Sequence, residues 1–197
     1  AAKIWESANK MRSKIEANEY KDYILGFIFY KFLSDREEKY LAKEGWDDEY
    51  KAEFLHEEYK PEWEEMGYTQ KDHIAAITSI QSNLGYFIGY NNLFSTWLAK
   101  GSDFNVADVR DALSAFSRLI NSSHKKVFDK IFDTLQTGLS KLGDSSNTQT
   151  KSISDLLHLI KDIPMDGKQD YVVLGFIYEY LISNFAANAD KKAGEFY

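Results

Sequence analysis

Cysteine is absent from the 197 residues, which excludes disulfide frameworks, thiolate zinc sites, cysteine nucleophiles and CxxC redox chemistry. Proline occurs only at Pro61 and Pro164, so most of the chain lacks the residue that breaks helices. The eleven glycines are scattered singly, and neither a Rossmann fingerprint nor a P-loop is encoded. Apolar runs such as Ile24 to Phe29 fall far short of the ~18 residues that span a bilayer, so no transmembrane helix is expected. The start, Ala1-Ala2-Lys3-Ile4-Trp5-Glu6, passes into an amphipathic pattern without the apolar core and cleavage site of a signal peptide. A cytoplasmic protein with no membrane partner is expected. Basic charge is also in deficit: 24 Lys and Arg face 31 Asp and Glu, for a net charge of −7. That sign is wrong for a domain whose main task is to neutralise a phosphate backbone.

What is present is 44% hydrophobic residues, 28% charged residues and 15% aromatics, arranged in long segments of helical period. The expected fold is mainly α, a multi-helix orthogonal bundle with a ring-rich core and at most a short β-hairpin or extended segment near residues 84–92. The pattern predicts helices over Lys3 to Glu16, Glu19 to Ala42 (apolar almost all round, hence central), Thr69 through Ile80, Asn105 to Asn121, Lys125 to Leu142, Ser152 to Lys161 and Tyr171 to Phe185. Thr69 with Asp72, and Asn105 with Asp108, read as helix N-termini. Trp46 to Met66 is acidic and aromatic together and reads as a surface excursion whose rings pack inward, with Pro61 interrupting any helix there. Asp144 to Thr148 reads as a polar loop. Residues 1–185 form one helical domain on this reading, and residues 186–197 a linker. Leu25-Gly26-Phe27-Ile28 and Leu174-Gly175-Phe176-Ile177 place glycine inside helices, where it costs up to ~1 kcal/mol against alanine. Close helix-on-helix approach at Gly26 and Gly175 is the natural compensation.

Catalytic chemistry is hard to find. His56, His73, His124 and His158 stand far apart without supporting ligands at helical spacing, so no metal is expected. No Gly-x-Ser-x-Gly elbow occurs, and no nucleophile is assigned. Adjacent carboxylates such as Glu57/Glu58 and Glu64/Glu65 diverge by about 100° on a helix and read as solvated faces. Basic residues form small groups only, among them Lys10/Arg12/Lys14 and Lys191/Lys192; Lys125, Lys126 and Lys130 are the candidate phosphate contacts.

An ordered set of segments carries a more specific signal. It runs through Ile4-Trp5-Glu6-Ser7-Ala8-Asn9-Lys10-Met11-Arg12, Glu19-Tyr20-Lys21 and Leu25-Gly26-Phe27-Ile28-Phe29-Tyr30-Lys31-Phe32-Leu33-Ser34-Asp35. It continues in Leu84-Gly85-Tyr86-Phe87-Ile88, Lys126-Val127-Phe128-Asp129-Lys130-Ile131-Phe132 and Ser140-Lys141-Leu142-Gly143. It closes with Leu174-Gly175-Phe176-Ile177-Tyr178-Glu179-Tyr180-Leu181 and Gly194-Glu195-Phe196-Tyr197. In this the chain resembles the N-terminal helical domain of the modification (methyltransferase) subunit of type I restriction-modification systems.

The resemblance implies a parent subunit that methylates the N6 amine of adenine from S-adenosylmethionine, on a base that has left the helix stack. It implies that Glu195, Phe196 and Tyr197 begin the S-adenosylmethionine site, ahead of a catalytic domain. The family's glycine-rich cofactor loop and its Asn-Pro-Pro-aromatic motif are not within these residues, and with only Pro61 and Pro164 the latter has no place to occur. The implied role is therefore assembly and DNA clamping without catalysis by this chain alone. The implied partners are the catalytic domain of the same subunit, a second modification subunit, the specificity subunit, the restriction subunit and DNA. The competing expectation is a free-standing helical protein-protein interaction module. An acidic mimic of DNA is a third, disfavoured because such mimics carry a heavier and more even acidic surface.

Overall fold

The computed structural model describes residues 17–163. Seven α-helices are named here: α1 (Ala17–Lys43), α2 (Asp48–Phe54), α3 (Gln70–Leu84), α4 (Phe94–Ala99), α5 (Val106–Leu119), α6 (Lys125–Gly138) and α7 (Ser146–Ile160), joined in part by 3-10 turns. Among the described residues no strand forms, and no helix is long and apolar enough to cross a membrane. The expected mainly α bundle is what is found. The expected helices over Lys3 to Glu16 and Tyr171 to Phe185, with Gly175 and the linker at residues 186–197, lie outside the described residues.

α1 is the axis of the bundle, as its all-round apolarity implies. Tyr23, Ile24, Phe27, Ile28 and Tyr30 are buried together, and α4, α6 and α7 pack against this helix. Rings fill the centre: Tyr30 stacks on Trp97 with centroids 4.8 Å apart and meets Phe132 edge-on at 6.0 Å, while Phe116 meets Phe132 at 5.6 Å. Gly26 is where α6 comes closest. A Cβ at this position would stand 2.6 Å from Leu135 Cδ1, well inside contact distance. One helical turn earlier the Tyr23 hydroxyl donates to the Gly138 carbonyl at 2.6 Å, which clamps the C-terminal end of α6 to the same helix.

The segment near residues 84–92 is extended, not a hairpin. α3 stops at Gly85, whose φ of +92° is left-handed and suits glycine. Tyr86, Phe87 and Ile88 then cross the core fully buried, and Tyr90–Asn92 makes a single 3-10 turn. A buried extended backbone needs hydrogen-bond partners, and side chains and backbone of α1 tie down this segment and the start of α4 that follows it. Ile88 N–H donates to Glu37 Oε1 and Phe94 N–H to Ser34 Oγ, both at 2.8 Å. The Tyr30 hydroxyl donates to the Asn92 carbonyl and the Tyr86 hydroxyl to the Leu33 carbonyl, again at 2.8 Å. No second strand is required.

The acidic and aromatic stretch folds as α2 followed by the 3-10 helix Pro61–Met66. Pro61 opens that 3-10 helix, because its missing N–H is no loss in a first turn. Of its rings only Trp63 is completely buried; it donates Nε1–H to Glu53 Oε1 at 2.8 Å and touches Phe54, Tyr68 and His73, while Trp46, Phe54 and Tyr59 are half-buried and Tyr50 is exposed. The polar run before α7 is also more ordered than a loop. Ser145 caps the helix, its Oγ accepting from Thr148 N–H at 3.2 Å while Thr148 Oγ1 accepts from Ser145 N–H at 2.9 Å. α7 therefore begins at Ser146 and not at Ser152. The helix expected over Lys125 to Leu142 passes into a 3-10 turn at Leu139–Leu142.

Two measurements test this packing. Gly26→Ala should lower stability by about 1–3 kcal/mol in urea denaturation, the usual cost of overfilling a packed core. Its combination with Leu135→Ala should be non-additive, since a methyl at position 26 then meets empty space; additive losses would show that the two positions do not touch.

The second concerns Glu37. Burial raises its carboxyl well above the ordinary range, the Ile88 N–H bond lowers it in part, and the charge of Glu38 raises it further. The folded state thus keeps a proton that the unfolded chain releases. Stability is fully present below the unfolded pKa and is lost as pH rises toward the folded one. Glu37→Gln, which keeps the acceptor for Ile88, should flatten the fall in stability as pH rises above the ordinary carboxylate range. An unchanged slope would refute a buried protonated Glu37.

Candidate functional site

α5 and α6 form an antiparallel hairpin that carries the candidate basic residues. Asn105 opens α5 by accepting from Ala107 N–H at 2.9 Å, while Asp108 accepts from Asn105 N–H at 2.9 Å. Val106, Val109, Leu113 and Phe116 face inward, which turns Arg110, Ser114 and Arg118, spaced i, i+4, i+8, to the outer face. The connection is tied to α3: Gln81 Nε2 donates to the Leu119 carbonyl at 3.0 Å, and Asn121 N–H donates to the Gly85 carbonyl at 2.9 Å.

α6 opens differently. His124 at its N-cap makes no capping hydrogen bond, no acid stands in the first turn, and Lys125 and Lys126 lead the helix. Cations at a helix N-terminus add to the positive end of its dipole, so this corner is strongly positive in a chain of net charge −7.

The three candidate lysines are all exposed, but the helix divides them. Lys126 and Lys130 are four residues apart and share a face. Lys125 leans the other way, and its Nζ donates to the Ser117 carbonyl at 3.3 Å and to Ser117 Oγ at 3.2 Å. There it joins Arg110 and Arg118 around a cleft of about 350 Å³ floored by Leu113, Leu135 and Leu139. The two arginines were not legible as site residues, because a search for local basic runs does not join positions eight apart on another helix. The i, i+4, i+8 spacing on the outer face of α5 was the available signal. Arg118 is also held by Glu57 in a two-pronged pair at 2.7 and 3.1 Å; partly exposed on both sides, such a pair contributes about 0–1 kcal/mol.

The histidines have structural surroundings. His73 is buried with Nε2 3.1 Å from the Glu57 carbonyl oxygen, and His56 Nε2 lies 2.8 Å from the Ala52 carbonyl oxygen. His124 sits against Gly85, and His158 is in the last turn of α7. Among the described residues no three His, Asp or Glu side chains gather as metal ligands would. Glu195, Phe196 and Tyr197 lie outside the described residues.

Comparison with known proteins fixes the family. The family described as the HsdM N-terminal domain matches residues 1–160. The type I restriction enzyme MpnII methylase subunit of Mycoplasma pneumoniae is 31% identical over 207 aligned positions, which take in 99% of this chain and 36% of that protein. Among solved structures, the type I restriction-modification system methyltransferase subunit of Streptococcus thermophilus is similar with a TM-score of 0.68 and 25% identity, over 94% of this chain and 38% of that one. The chain thus spans little more than a third of the length of these relatives. A match across residues 1–160, joined by two methyltransferase subunits, makes the chain a member of the HsdM N-terminal domain family of type I restriction-modification methylase subunits.

Proposed function

We propose that the chain is the assembly and DNA-clamping domain of a site-specific DNA adenine-N6 methyltransferase subunit in a type I restriction-modification system, non-catalytic by itself and working in the cytoplasm. The observation that carries the reading is the family match over residues 1–160. The partners are the catalytic domain of the same subunit, a second modification subunit, the specificity subunit, the restriction subunit and DNA. An acidic clamp arm fits this role, since protein contacts can position it while most phosphate neutralisation falls to other parts. The lysine-led corner at the start of α6 is the part of the described residues suited to approach the DNA backbone.

S-adenosylmethionine is the methyl donor on this reading, and Glu195, Phe196 and Tyr197 are the residues that would border it. The described residues do not fit it. The cleft beside α5 is ringed by Arg110, Arg118 and Lys125, which repel the donor's positively charged sulfonium. No step of methyl transfer is assigned to them.

The test uses the assembled complex containing this chain's lysines within the full methyltransferase subunit. Lys126→Glu with Lys130→Glu should weaken DNA binding about tenfold at low salt and reduce the slope of log affinity against log salt by about 2, as expected for two lost phosphate contacts. Affinity unchanged at every salt concentration would remove the DNA-facing corner. Methyl transfer from S-adenosylmethionine to DNA by the isolated 197-residue chain would remove the non-catalytic assignment.

A further inference from the structure

We propose that the cleft between α5 and α6 is a phosphate-binding pocket that takes a phosphate group carried by a nucleotide or by a nucleic-acid strand. The volume, about 350 Å³, falls in the usual range of small-ligand pockets. Among the described residues its lining is one-sided: Arg110, Arg118 and Lys125 supply positive charge, Ser114 and Gln136 supply neutral hydrogen-bond donors, and no carboxylate lines it. The acids that contact lining residues are Glu57, which pairs with Arg118 at 2.7 and 3.1 Å, and Asp129, whose Oδ1 is 3.5 Å from Ser117 Oγ.

The cations are not used up by the fold. Arg118 is shared with Glu57, but among the described residues Lys125 bonds only the neutral Ser117. Arg110, exposed, lines the cleft and pairs with no acid among the described residues. A planar guanidinium with several N–H donors matches phosphate oxygens better than any neutral group at this position could.

Geometry sets the size of the ligand. Arg110 and Arg118 are two turns apart on α5, about 12 Å along the axis, and Lys125 stands at the Arg118 end because α6 runs antiparallel. Between these ends Leu113, Leu135 and Leu139 form an apolar floor. These leucines are almost wholly buried, so the phosphate at a cationic end is the part of a ligand that this lining recognises. The first turn of α6, open at its N-cap, adds oriented N–H groups and the positive end of a dipole near Lys125. The inference rests on the DNA-clamping reading only for the source of the phosphate; the pocket chemistry stands apart from it.

The experiment titrates the full 197-residue chain at low salt with inorganic phosphate, adenosine monophosphate and a short DNA duplex, following backbone amides by NMR. Saturable shifts at Arg110, Ser114, Ser117 and Lys125 are expected. Arg110→Gln, and Ser114→Leu, which fills the cleft mouth, should each weaken binding at least about tenfold, while Lys60→Gln should not. Both substituted side chains are exposed, and circular dichroism checks the fold. Binding of phosphate or the mononucleotide supports a self-contained pocket; binding of DNA alone, lost in Arg110→Gln, supports a strand as the source. No saturable binding of any probe, or binding unchanged in both cleft variants, overturns the pocket. If those variants bind normally while Lys126→Glu with Lys130→Glu loses DNA in the assembled complex, the pocket falls and the clamping role stands.

Discussion

The position of the α5–α6 hairpin depends on how closely α6 can lie against α1, and that distance is set where Gly26 leaves room for Leu135. Any larger residue at position 26 would push the helices apart and withdraw Phe132 from its edge contact with Tyr30. The glycine costs helix propensity of up to ~1 kcal/mol, a loss offset by burying Leu135 completely, since full burial of a leucine side chain contributes about 1.5–3 kcal/mol. The Tyr23 bond to the Gly138 carbonyl fixes the same pair of helices a turn away. Through this contact, residues in the middle of the core determine where a set of surface cations stands.

α1 also does a second job that an apolar helix could not. Ser34 and Glu37 are fully buried: Glu37 accepts a hydrogen bond from Ile88 N–H in the extended segment, and Ser34 accepts from Phe94 N–H at the start of α4. Leaving such an N–H group unpaired would cost about 1–3 kcal/mol. Keeping a carboxyl at Glu37 is tolerable because it holds its proton in the folded state, for which burial is the main cause. The core is therefore tuned by polar groups on one helix, and the segment from Gly85 to Leu93 is held by hydrogen bonds to that helix.

Local rules were legible where the partners are close in sequence. Thr69 with Asp72 and Asn105 with Asp108 mark helix starts three residues apart, and the close approach at Gly26 followed from the energetic oddness of a glycine inside an apolar helix. The run at residues 84–92 was less legible. Its β-branched and aromatic residues, bracketed by Gly and Asn, look the same whether the backbone pairs with a strand or with a side chain 51 residues away. The start of α7 was misread because Ser145 and Thr148 are as common in loops as in caps, and only the hydrogen bonds decide. The cleft was hidden for a related reason: Arg110 and Lys125 belong to different helices, and nothing local joins them until the hairpin closes.

Charge placement follows from the same geometry. The acids of the Trp46 to Met66 stretch surround a lobe whose rings gather around Trp63, whereas α6 opens on two lysines with no acid in its first turn. A net charge of −7 repels a polyanion at long range, but beyond a Debye length of about 8 Å at physiological salt that repulsion is largely screened. Inside that distance, the field near α6 is governed by Lys125, Lys126 and the helix dipole. A mostly acidic surface can therefore still present an attractive corner to an anion that comes within that distance. The Arg118 pair with Glu57 sits at the border of the two regions, where the carboxylate of the acidic lobe partly offsets one cation of the basic hairpin.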